Sequence, residues 1–143
     1  MKDALTTKSL IVSWSAQLLA AVILGQTLFF KFSGATQARW IFEQLGAEPW
    51  GRWASGAAEL VAVVLLLVPR TAALGGLLGL GVMTGALGSH LTRLGIDVQG
   101  DGGMLFALAI VTLVASATVV WIRRMNLPLL GPALAARSSP DYS

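Results

Sequence analysis

Four long apolar segments dominate the pattern of hydrophobic and polar positions along this chain. Each has about 20 residues, the helical length that crosses a hydrocarbon core of about 30 Å. We expect helices because backbone polar groups inside a bilayer must find partners within the protein. A transmembrane β-barrel would need short segments of alternating polarity, which the sequence lacks. The predicted spans are Leu10–Phe30, Trp50–Val68, Thr71–Leu91 and Gly103–Ile122.

The connection between the first two spans has a different pattern. Over Thr36–Leu45 the apolar residues, among them Trp40 and Ile41, lie on one side of a helix, and the polar residues lie mostly elsewhere. Gly46 is placed to end this helix and Pro49 to start the next one. The pattern predicts a short amphipathic helix at the membrane surface, with a helical extension of the first span as the alternative. The predicted fold class is therefore an all-α, integral membrane four-helix bundle with a short interfacial helix between spans 1 and 2.

The ten Lys and Arg residues indicate an orientation. Four spans place both termini on one side of the membrane, and cytoplasmic loops carry the excess of Lys and Arg. The side of the termini holds six of these residues and the other side holds four: Lys2, Lys8, Arg70, Arg123, Arg124 and Arg137 against Lys31, Arg39, Arg52 and Arg93. We expect a multi-pass membrane protein with both termini in the cytoplasm.

The two ends of the chain need separate interpretations. Lys2 and Lys8 precede the first apolar run as they would in a signal peptide, but the run is too long and no clean cleavage site follows it. We therefore expect a retained helix. Residues 125–143 contain several prolines and serines, which predicts a disordered cytoplasmic tail after a transmembrane domain at residues 1–124.

Composition excludes several classes of function. The chain is 55% hydrophobic and 12% charged, against about 25% charged in an average soluble domain. It has no cysteine, which excludes disulfides, thiol nucleophiles and thiolate metal sites. The net charge of +3 comes from dispersed residues rather than a basic run, so we expect no nucleic-acid partner.

Glycine is concentrated in the third span. Gly75 and Gly79, and likewise Gly81 and Gly85, are four residues apart, the spacing that lets helix backbones approach closely. Tight packing within one bundle is the favoured interpretation. A face for homo-oligomer formation is the alternative.

Four polar residues could carry chemistry: Gln26, Lys31, Glu59 and His90. A carboxylate near the centre of a spanning helix costs about 2.5–3.5 kcal/mol, so Glu59 must face a partner or water. All four residues fall in the half of the bundle away from the termini. They predict either a buried network in which Lys31 or His90 pairs with Glu59, or a ligand pocket. One His and one Glu are too few ligands for a metal site, and the loop acids Glu43, Glu48, Asp97 and Asp101 are expected to be solvated.

Short motifs around these residues resemble the DoxX-like family of small four-helix bacterial membrane proteins. The motifs are Lys31–Gly34, Gly56–Leu60, Pro69–Thr71 and Ser89–Leu91, and the resemblance extends from about Leu24 to Arg124. The family takes its name from a subunit of a thiosulfate:quinone oxidoreductase, and relatives are associated with quinone, thiol or oxidative-stress systems. The resemblance places the family's lysine on Lys31, its intramembrane acid on Glu59, its Pro-Arg turn on Pro69 and Arg70, and its histidine on His90. It also implies a location in the bacterial inner membrane.

The resemblance implies a quinone-linked redox accessory, in which Lys31, Glu59 and His90 hold a quinone head group and a partner redox subunit supplies electrons. Whether the chain is itself an enzyme stays open. The first alternative is a non-enzymatic protein that assembles or stabilises a membrane partner. The second is a proton-coupled exporter of small molecules, although four-helix drug exporters place their intramembrane glutamate in the first helix and are usually shorter.

Overall fold

The computed structural model describes residues 4–138, and this part of the chain is helical without any strand. Six α-helices follow one another: α1 (Thr7–Ser33), α2 (Thr36–Gln44), α3 (Trp50–Leu67), α4 (Ala72–Ser89), α5 (Met104–Arg123) and α6 (Leu130–Ser138). A π-helical turn at His90–Leu94 extends α4, and a 3-10 turn at Arg124–Asn126 extends α5.

The four long helices form a bundle. α1 packs against α3 and α5, and α4 packs against the same two helices, so α1 and α4 lie on a diagonal. The core contains mainly small and aliphatic side chains, including Leu24, Leu66 and Val119, while many large apolar side chains are exposed on the outside. All four helices are long and apolar enough to cross a membrane. The predicted fold class is confirmed.

The observed spans are close to the predicted ones and differ at polar ends. α1 begins at Thr7 because the Thr6 side chain accepts a hydrogen bond from the Ser9 N–H, and it continues to Ser33. The third span continues past Leu91 through the π-helical turn, which ends at Gly95 with φ 77°. The helices of the first, third and fourth spans therefore continue through the first polar residues beyond their apolar runs, whereas α3 ends at Leu67.

The helix α2 is separate from α1, as the amphipathic pattern predicts. Gly34, with φ 67°, ends α1 in the left-handed conformation that favours glycine. Gly46 also has φ 67° and follows α2 at its other end. Between them α2 contacts α1, α3 and the π-helical turn, and its Ala38 is buried. This end of the bundle is called the α2 end below.

Glycines divide α4 into two parts. A Cβ atom on Gly75 would lie 2.6 Å from the Leu66 nitrogen in α3, and one on Gly79 would lie 2.6 Å from Ser116 Oγ in α5. These glycines permit close packing within the bundle. Gly81, Gly85 and Gly88 meet nothing within 4 Å at the Cβ position, so their surroundings are open in a single chain.

The chain after Met125 differs from the predicted disordered tail. α6 occupies Leu130–Ser138, and Leu127 and Gly131 are buried against the preceding turn. Pro132 lies in the first turn of α6, where its missing N–H costs no intrahelical bond. The tail is therefore helical to Ser138, and residues 139–143 lie outside the described part.

Candidate binding site

A cavity of about 570 Å³ lies at the α2 end of the bundle. α1, α3, α4 and α5 all contribute to its walls, and α2 lies against it with Ile41, Phe42 and Leu45. Most of the wall is apolar. The four residues predicted from the sequence, Gln26, Lys31, Glu59 and His90, all line this cavity.

An ion pair between α1 and α3 is the centre of the polar wall. Lys31 Nζ lies 2.5 Å from Glu59 Oε1 and donates a second hydrogen bond of 2.7 Å to Ser55 Oγ. Glu59 Oε2 lies 2.8 Å from Thr27 Oγ1. Thr27 precedes Lys31 by one helical turn, and Ser55 precedes Glu59 by one turn, so each helix presents both residues on one face. Of the two partners expected for Glu59, the structure pairs it with Lys31.

His90 is held by the π-helical turn. Its Nδ1 atom lies 2.8 Å from the Gly95 carbonyl oxygen, and its ring packs edge-on against Phe106 with centroids 5.6 Å apart. The residue is 6% exposed and lines the cavity without a direct bond to Glu59. Its contacts therefore fix the ring and leave Nε2 at the cavity wall.

Gln26 has fewer side-chain hydrogen bonds than the other three predicted residues. It is exposed, and no side-chain hydrogen bond involves it within residues 4–138. Its position at the cavity edge gives it a free donor and a free acceptor.

Sequence reasoning missed three polar residues of the cavity wall: Thr27, Ser55 and Gln37. The one-turn spacing from Lys31 and Glu59 was the available signal for Thr27 and Ser55. Gln37 reaches from α2 to the Val98 carbonyl oxygen at 3.3 Å, a contact that only the fold creates.

Asp101 also lines the cavity and is not the solvated loop charge that was expected. Its carboxylate accepts hydrogen bonds from the backbone N–H groups of Leu105, Val98 and Gly103, at 2.9, 2.9 and 2.8 Å. These bonds hold the pKa of Asp101 below its ordinary value, and the bond from Leu105 has the largest effect. Because Leu105 is in the first turn of α5, the Asp101 carboxylate caps the start of this helix.

Glu48 is a second loop acid with a specific partner. Arg52 Nη2 lies 2.8 Å from Glu48 Oε1, and the hydrogen bonds from Arg52 lower the pKa of Glu48. The Arg52 guanidinium also donates to the Lys31 carbonyl oxygen at the end of α1. This pair therefore ties α3 to the end of α1, next to the cavity.

A separate polar network lies at the opposite end of the bundle. Arg123 Nε donates to Ser13 Oγ at 2.7 Å and Gln17 Oε1 at 2.9 Å, and Gln17 Nε2 donates to the Leu66 carbonyl oxygen at 2.6 Å. These bonds join α1, α3 and α5. Arg123, which the sequence placed among the charges on the side of the termini, is only 5% exposed.

Metal binding finds no support in the described residues, where no group of three His, Cys, Asp or Glu side chains could hold an ion. No protein-family model matches this chain, and neither does any curated protein or solved structure. Function is therefore inferred from the pocket and from the motif resemblance.

Proposed function

We propose that this chain is a DoxX-like integral membrane protein that binds a lipid-soluble molecule of the quinone class. It would serve as an accessory component of a membrane redox system. One observation carries the proposal: Lys31, Glu59 and His90, three positions of the motif resemblance, line a single cavity. The motif resemblance supports a location in the bacterial inner membrane, and the excess of Lys and Arg at the end with the termini supports an orientation with both termini cytoplasmic.

The cavity has the general character of a small-molecule site. Its volume of about 570 Å³ is within the range of about 300–1,000 Å³ for ligand pockets, which combine apolar walls with a few polar groups. Phe30, Phe42 and Leu108 would contact an aromatic ring and its apolar substituents. Gln26 and Lys31 would donate hydrogen bonds to ring oxygens.

A partner subunit would have to exchange electrons with the bound molecule. The chain has no cysteine and carries no residue that itself transfers electrons, so redox chemistry belongs to a cofactor or ligand. The role of this chain would be to bind and orient the ring within the bilayer.

The ion pair also favours a second candidate, a non-enzymatic protein that assembles or stabilises a membrane partner. Glu59 is 1% exposed and already bonded to Lys31 and Thr27. A carboxylate satisfied in this way can act as a purely structural link between α1 and α3.

Quinone binding by the purified protein in detergent distinguishes the two candidates. A ligand that binds only the folded state at 100 times its Kd adds about 2.7 kcal/mol of stability, so the melting temperature must rise. We expect a rise for the wild type and for the control Glu43→Gln, which alters an exposed acid on α2. Glu59→Gln should lose it, because Lys31, a donor to the ring oxygens, then loses the charged partner that holds it at the cavity wall. No rise at saturating quinone, with Glu59→Gln less stable than the wild type, would favour the assembly role.

A further inference from the structure

The hydrogen bond of His90 determines what its second nitrogen can do. The Gly95 carbonyl oxygen is only an acceptor, so Nδ1, at 2.8 Å, must carry the hydrogen. In a neutral imidazole the other nitrogen is then an acceptor with an unshared lone pair. Nε2 of His90 is therefore a hydrogen-bond acceptor.

The local backbone keeps the ring in this state. Gly95 donates its own N–H to the His90 carbonyl oxygen at 2.8 Å, while its carbonyl oxygen accepts from the His90 ring. These two reciprocal bonds close the π-helical turn, and Phe106 packs against the ring. Rotation of the ring would break the bond to Gly95, so Nε2 stays directed away from that carbonyl.

The other charged groups of the cavity are already bonded. Glu59 accepts from Lys31 and contacts Thr27, and three backbone N–H groups occupy Asp101. His90 is more than nine-tenths buried, and within residues 4–138 its Nε2 has no hydrogen-bond partner. Nε2 is not one of the sealed unpaired atoms of the described residues, which are Ser116 Oγ and Arg123 Nη2, so solvent or a ligand in the cavity can reach it. A ligand that displaces water from Nε2 without supplying a donor would leave this acceptor unpaired, which is costly.

We infer that the ligand donates a hydrogen bond from a hydroxyl group on its ring to His90 Nε2. The inference rests on the proposed function and specifies which ligand the pocket prefers. A quinone oxygen is only an acceptor, so beside Nε2 it would place two lone pairs face to face. A phenolic hydroxyl supplies the missing donor. The preferred ligand class is therefore a lipid-soluble diphenol, which is the reduced form of a quinone.

Three matched ligands test this preference under anaerobic conditions: a ring-methylated 1,4-benzenediol, its di-O-methyl ether and the corresponding quinone. Their affinities for the wild-type protein in detergent are measured by equilibrium dialysis. Only the diphenol pairs with Nε2 once water is displaced, so we expect it to bind at least about tenfold more tightly than the other two. This comparison uses only the wild type and does not depend on a variant that folds.

The His90→Phe variant tests whether the preference for the diphenol comes from His90 Nε2. Phenylalanine keeps an aromatic ring beside Phe106 and removes the acceptor, so the three ligands should then bind with similar affinity. The control Glu43→Gln changes an exposed acid on α2 outside the cavity wall and should keep the preference for the diphenol. Equal affinities in the wild type, or a preference for the quinone, would overturn the inference while leaving the proposed function intact. Absence of binding by all three ligands would overturn both.

Discussion

Lys31 Nζ lies 2.5 Å from Glu59 Oε1. The two residues are 28 positions apart in the sequence, and their contact joins α1 to α3. The side chains are 15% and 2% exposed, respectively, so both charges have lost most of their hydration. A pair of this kind adds little net stability, because desolvation offsets attraction, but the loss of one partner leaves a buried charge unmatched.

Lys31→Met should therefore destabilise the protein more than replacement of the whole pair. Loss of one partner from a buried pair lowers the free energy of unfolding by about 3–5 kcal/mol. The double variant Lys31→Met/Glu59→Leu should recover most of this loss, as measured by unfolding in mixed detergent micelles. A double variant that is less stable than Lys31→Met would show that the pair is not a coupled unit.

Gln17 and Gln26 form a matched pair on α1 for testing the second polar network. Gln17 is fully buried and bonds to Leu66, Ser13 and Arg123, whereas Gln26 is exposed. Gln17→Leu should lower the free energy of unfolding by about 1–3 kcal/mol, because it leaves buried polar groups unpaired. Gln26→Leu should change it by less than about 0.5 kcal/mol. Equal effects would argue against the Arg123 network as a stabilising element.

The two groups of glycines on α4 predict opposite effects of alanine. Gly75→Ala would bring a Cβ to 2.6 Å from the Leu66 nitrogen, so we expect a loss of about 1–3 kcal/mol from overpacking. Gly88→Ala meets open space and should gain up to about 1 kcal/mol in helix propensity. Thermal unfolding of both variants in the same detergent provides the comparison. A loss at Gly88 would indicate that another chain packs there.

The sequence pattern predicted the four spans. It also predicted the polar residues that lie within the membrane and therefore need a hydrogen-bond or charge partner. Lys31, Glu59 and His90 could be found because charged or titratable groups stand out in apolar helices. Thr27 and Ser55 had only their one-turn spacing from Lys31 and Glu59 as a signal, which is weak because hydroxyl groups in helices commonly bond to their own backbone. Which of them turns toward Glu59 depends on how α1 and α3 pack.

Arg123 and α6 show two other limits of prediction from the sequence. An arginine at the end of an apolar run has the same sequence pattern whether it reaches water or, as here, turns inward to Ser13. The segment after Met125 combines prolines with good helix formers such as Leu134 and Ala135. Its helix depends on the contacts of Leu127 and Gly131 with the preceding turn, which local composition does not encode.

Asp101 predicts a specific dependence of stability on acid. Its pKa is lowered in the folded protein by hydrogen bonds from Leu105, Val98 and Gly103, and its ordinary value is 3.8. A lowered pKa stabilises the fold at pH values above 3.8, and this contribution is lost as the pH falls from there through the folded pKa. The wild type should therefore lose this part of its stability only below about pH 4.

Asp101→Asn tests this dependence, because asparagine keeps one acceptor oxygen and loses the charge. Asp101 uses both of its carboxylate oxygens, so the variant must lose at least one bond at the start of α5. We expect it to be about 0.5–2 kcal/mol less stable than the wild type at pH 7, the usual range for a lost helix cap. The difference in stability should shrink toward zero as the pH falls below 4. Unfolding followed by circular dichroism at each pH measures it.

Asp97→Asn is the matched control in the same loop, because one oxygen of Asp97 accepts a single bond from Gly102, which asparagine can keep. A constant difference across the pH range would mean that Asp101 acts through its shape rather than its charge.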